Sequence, residues 1–156
     1  MKRSYMIALL LGLCIVGAQA QTQPQERIFT EGPVWRINYY KIKPGKATDH
    51  QKWLREYRMR ILDEQKRAGL ITDYKFFTQP AFESLNDWDV MEAVQYKTYS
   101  DLLDYSADRS KKANDIGLKV FGSDENRTKI WAELRDASRD VVASRIVREM
   151  QIKPMN

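Results

Sequence analysis

The sequence predicts an α+β fold, a single antiparallel sheet with its helices on one face, in the order β-α-β-β-α-α-β. Three observations predict it. Short runs rich in aromatic and β-branched residues, bounded by Pro, Gly or polar turns, read as four strands. Longer segments between them repeat apolar residues at steps of three and four, the mark of a buried helix face. One helix follows the first strand and two precede the last, an arrangement that lays helices against a common sheet.

Each element has its own warrant. Val34–Ile42 (VWRINYYKI) is the first strand, stopped by Lys43-Pro44-Gly45. From Lys46 to Ala68 the period changes: Ala47, His50, Trp53, Leu54, Tyr57, Ile61 and Leu62 form one stripe, and Gly69 closes the helix. Ile71–Thr78 is a second strand, Ala81–Asp87 a loop, and Trp88–Tyr96 a third strand. Thr98 and Asp101 resemble a capping box opening a helix to about Leu118. Ser123 opens the next, with Ile130, Leu134, Ala137 and Val141 on its stripe. Ser144–Ile152 (SRIVREMQI) alternates and is the final strand. The folded part, 33–153, is one domain, and 21–32 reads as a flexible leader.

Residues 1–20 read as a secretory signal peptide. Lys2 and Arg3 precede the apolar run Met6–Ala18, and Ala18-Gln19-Ala20 is a small-x-small cleavage pattern. The run is shorter than the ~20 residues that span a bilayer, so the expectation is an exported protein, periplasmic or extracellular, with no stable membrane anchor. Cys14 follows the bulky Leu13 inside the apolar run, which disfavours a lipoprotein signal. It is the one cysteine, so the cleaved chain has neither disulfide nor thiolate chemistry. Cleavage removes Lys2 and Arg3, leaving 24 basic against 21 acidic residues, and the formal charge falls from +5 to +3. Acids and bases are interleaved, which gives nucleic-acid binding no support.

Alternation assigns faces. The apolar side is expected to combine Trp35, Ile37 and Tyr39 with Tyr74 and Phe76 and with Ile146, Met150 and Ile152, and to meet the helices. The mixed side combines Arg36, Asn38 and Tyr40 with Asp73, Lys75 and Phe77 and with Arg145, Val147 and Glu149. That side reads first as a dimer interface or a wet face with ion pairs such as Arg36 to Asp73 or Glu149. Its other reading is a ligand pocket lined by Arg36, Asn38, Tyr40, Asp73, Lys75 and Glu149, with His50 near its mouth. His50, the one histidine, is the candidate general base; the competing reading is a structural histidine on a packing stripe. With one histidine and no cysteine beyond residue 14, no metal site or cofactor is assigned.

Strand, Lys-Pro-Gly, amphipathic helix with an aromatic stripe, two strands, helices and strand is a layout that resembles the dimeric α/β-barrel superfamily of ferredoxin-like domains. INYYKIKPGKATDHQKWLREY (37–57) resembles the opening unit of its antibiotic-biosynthesis-monooxygenase and NIPSNAP-like branches. The resemblance implies a homodimer whose two sheets form one barrel. In haem-degrading members an Asn on an early strand works with a His on a later helix; Asn38 imitates the first, but His50 lies on the first helix, so that pattern does not transfer. Three functions follow as expectations: a binder of a small aromatic or apolar molecule, a non-catalytic structural or stress protein, and a cofactor-free monooxygenase or haem-handling enzyme. Fold alone does not choose among them.

Overall fold

The computed structural model describes residues 28–79 and 87–154; the signal-peptide reading and most of the loop predicted over Ala81–Asp87 lie outside them. Four strands form one antiparallel sheet: β1 (Phe29–Ile42), β2 (Asp73–Thr78), β3 (Val90–Tyr96) and β4 (Arg139–Ile152), in the order β2-β3-β1-β4. The class is therefore α+β, as the sequence predicts.

β1 starts well before Val34. Phe29, Thr30 and Glu31 pair with Ile152, Gln151 and Met150, so the end of the segment read as leader is sheet. The ladder shifts register between Glu31 and Val34, across Gly32 and Pro33. A proline is tolerated at such a bulge because no ladder donor is needed there. Gly32 fits because a Cβ on it would lie 3.0 Å from the carbonyl oxygen of Glu149.

At the far end of β1, Gly45 takes φ +73°, a left-handed conformation that glycine adopts without steric cost. The chain then turns into α1 (Ala47–Trp53), a π-helical turn (Leu54–Arg58) and α2 (Met59–Arg67), which fill the helical stretch predicted from Lys46 to Ala68. After β3, Thr98 caps α3 (Tyr99–Leu103) by accepting from the Asp101 amide, 3.1 Å. The single helix predicted to Leu118 is two: the chain breaks at Asp104–Ser106, and Ser106 caps α4 (Ala107–Phe121). Ser123 caps α5 (Asp124–Ile130), which passes into a second π-helical segment (Trp131–Asp136). β4 then begins at Arg139, five residues before the predicted Ser144. Val141, placed by periodicity on a helix stripe, is in the strand opposite Tyr40.

The helices pack through two clusters. Leu62 meets Ile71, Val94 and Tyr96 over β3. Trp53, Phe121 and Ile130 form the second, in which Tyr57 and Phe121 stack at 5.3 Å and Trp53 and Phe121 at 6.3 Å. Offset ring pairs of this kind add to the area they bury.

The faces of β1 are the reverse of the expectation. Arg36, Asn38 and Tyr40 pair with Val94, Glu92 and Val90, and this side of the sheet meets the helices. Trp35, Ile37 and Tyr39 lie on the opposite side with Lys75, Phe77, Met91 and Val147. Aromatic residues occupy both sides of β1, so alternation separated its two faces without saying which is inward. The inward one holds polar groups because the helices bring partners to them.

Candidate functional site: a cavity between sheet and helices

Between the sheet and the helices lies a cavity of about 470 Å³. Asn38 and Tyr40 of β1, Glu92 of β3 and Arg139 of β4 line its sheet side; Trp53, Arg58, Ile61, Phe121, Arg127, Trp131 and Arg135 line its helical side. Two of the contributing segments are π-helical, the turn carrying Arg58 and the segment carrying Trp131 and Arg135. Such widened turns recur at functional sites because they redirect a side chain that a regular helix would hold elsewhere.

The floor is an ion pair. Arg58 Nε donates to Glu92 Oε2 and Arg58 Nη2 to Glu92 Oε1, both at 2.7 Å, and the Glu92 carboxylate is fully buried. Burial alone would push the Glu92 pKa up; the charge and paired donors of Arg58 outweigh it and hold the carboxyl below its ordinary value. Glu92 is thus an anion with both oxygens occupied, poorly suited to take a proton.

Tyr40 lies beside it, buried, with its phenol pKa raised by burial and by Glu92. The Arg139 guanidinium stacks on the Tyr40 ring at 3.7 Å and stands 5.8 Å from the Trp53 ring centroid. Asn38 accepts from Ser144 Oγ at 2.8 Å. On the helical side Trp131 carries two guanidinium groups, Arg135 at 4.2 Å and Arg127 at 5.4 Å. These two arginines are tied to carboxylates, Arg135 to Asp136 at 2.7 Å and Arg127 to Asp124.

Two donors in the lining have no partner among the described residues: Trp53 Nε1 and Arg139 Nη1. Trp53 is only 2% exposed. A buried donor left unpaired costs on the order of 1–3 kcal/mol.

The residues chosen from sequence are divided by the sheet. Asn38 and Tyr40 line this cavity, and Arg36 lies on the same side, donating to the Tyr96 hydroxyl at 2.9 Å. Asp73, Lys75 and Glu149 are on the opposite face and form no common site with them. Neither ion pair expected for Arg36 forms: Asp73 pairs with Lys66 at 2.8 Å, and Glu149 accepts from Trp35 Nε1 at 3.2 Å. Lys75 stands over the Trp35 ring at 5.4 Å.

His50 is buried, and neither ring nitrogen has a partner among the described residues. Burial, and then the charge of Arg139, lower its pKa to about 4, against weaker opposing pulls from Glu92 and Asp89. It is neutral at pH 7 and does not line the cavity. The packing-stripe reading fits this burial.

Arg58, Glu92 and Arg139 are site residues that no spacing in the sequence picks out. Glu92 carried a signal: it is the one acid in VMEAVQY, at an inward position of a strand otherwise suited to burial. Among the described residues no group of three or more His, Cys, Asp or Glu could hold a metal ion, and no helix is long and apolar enough to cross a membrane. In comparisons with known proteins, no family model and no curated protein matches the chain.

Proposed function

We propose that the protein is a small-molecule binding module whose ligand, largely aromatic or apolar, occupies the cavity between sheet and helices. The observation that carries this reading is a preformed space of about 470 Å³ walled by Trp53, Phe121 and Trp131, with Arg139 in its lining. Aromatic wall surface beside convergent polar groups is a composition that suits a ligand. Binding is favoured over catalysis because no side chain in the lining is poised to exchange a proton near neutrality. Glu92 is saturated by Arg58, the Tyr40 phenol is raised, and His50 stands outside the lining.

The finer architecture belongs to the same proposal. The strand order β2-β3-β1-β4 with antiparallel pairing throughout supports a ferredoxin-like domain. The outward face of the sheet, with Trp35, Ile37, Tyr39, Phe77 and Val147, supports a homodimer in which a second copy covers it and the two sheets close as a barrel. Residues 1–20 support export before assembly.

Native mass spectrometry of the purified protein tests the binding reading. An added small-molecule mass is expected, and it should disappear when Ala113, in the cavity wall, is replaced by Trp. An added mass that survives Ala113→Trp would place the ligand elsewhere and contradict the proposal.

A further inference from the structure

We infer that the ligand of this cavity is an aromatic carboxylate of one or two rings, its acid group seated against Arg139 and its rings against the aromatic wall. The inference rests on the cavity being a ligand site, as proposed above, and adds the charge and shape of what fills it.

The charge comes from the balance of the lining. Four arginines face the cavity, Arg58, Arg127, Arg135 and Arg139, against one acid, Glu92. Both Glu92 oxygens are bound by Arg58, and Arg127 and Arg135 are tied to Asp124 and Asp136. Arg139 is different. Among the described residues it makes no ion pair; its neighbours are the faces of Tyr40 and Trp53, and its Nη1 has no acceptor. A guanidinium stacked on rings keeps its edge free, and that edge matches a carboxylate in shape as well as charge.

Trp53 flanks it: the Arg139 guanidinium stands 5.8 Å from the Trp53 ring centroid, so a ring placed against Trp53 brings its acid group to Arg139. The ring body follows from the walls. Trp53, Phe121 and Trp131 present aromatic surface, and about 470 Å³ holds roughly fifteen groups the size of a water molecule, enough for one or two fused rings.

The test compares benzoate, 2-naphthoate and indole-3-acetate, each beside its neutral primary amide, by isothermal titration calorimetry on the purified protein. At least one acid is expected to bind tenfold or more tightly than its amide. Arg139→Gln should remove most of that difference while leaving the amide affinity within about twofold. Circular dichroism checks that the variant is folded, and the acid-to-amide comparison on the unaltered protein does not need it. Acids and amides binding equally well, displaced together by Ala113→Trp, would overturn the carboxylate and leave the cavity standing. Binding of none of the six would overturn the carboxylate and count against the cavity as well.

Discussion

Lowering the pH should destabilise the protein through His50 in a way that a single substitution isolates. The imidazole is buried, unpartnered and close enough to the Arg139 guanidinium to feel its charge, and its pKa falls from 6.5 to about 4 on folding. Between those values the unfolded chain binds the proton and the folded chain does not, so stability drops as the pH falls. The neutral ring's contribution is fully present above pH 6.5 and is lost toward pH 4. With these two pKa values the loss is about 2 kcal/mol between pH 7 and pH 5 and about 3 kcal/mol by pH 4. Buried carboxylates such as Glu92 also lose stability in acid, so the wild-type curve alone does not identify the cause.

Urea unfolding of wild type and His50→Leu at pH 7 and pH 5 separates the two. The carboxylates are common to both proteins and cancel in the difference. The wild type should therefore lose about 2 kcal/mol more than the variant over that interval. Because the chain has one histidine, its Cε1 proton in an untagged sample gives a direct second readout, with a midpoint expected near 4. A midpoint near 6.5, or a wild-type to variant difference that does not change with pH, would refute the reasoning.

Three other outcomes follow. Glu92→Gln should cost up to about 3 kcal/mol in urea unfolding because it strands a largely buried guanidinium, whereas Arg58→Met with Glu92→Leu should cost clearly less than that single change. Gly32→Ala should lower stability by about 1–3 kcal/mol, since the new Cβ would lie 3.0 Å from the Glu149 carbonyl oxygen and 3.1 Å from its Cβ. Light scattering after size exclusion should give a dimer for the wild type and a monomer for Ile37→Asp with Phe77→Lys; a wild-type monomer would remove the barrel assembly from the proposal.

Much of the fold was legible because periodicity is a local property. The Lys-Pro-Gly stop, the 46–68 helix and the capping residues Thr98 and Ser123 stand where their side chains predict. Two boundaries were not legible. Asp104–Ser106 breaks a helix without Pro or Gly, and the Ile130-to-Val141 stripe continues a helical spacing past the point where Ser138 is buried and the chain turns into β4.

The site was harder to see, for a reason that lies in the sheet. Trp35 and Tyr39 on one side of β1 and Tyr40 on the other are equally suited to burial, so choosing the inward side needs knowledge of what the helices contribute. Arg58 decides it: a guanidinium on a helix, brought inward by a π-helical turn, makes Glu92 tolerable in the core and draws Asn38 and Tyr40 to the same side. Asn38 and Tyr40 were found from the strand. Their true companions, Arg58, Glu92 and Arg139, come from three other segments, and no spacing in the sequence connects them.

A crystal of the protein soaked with 2-naphthoate would show where the acid sits. The naphthalene ring is expected among Trp53, Phe121 and Trp131, with the carboxylate within hydrogen-bonding distance of the Arg139 guanidinium. An empty cavity, or naphthoate bound on the outward face by Trp35 and Phe77, would contradict the proposal.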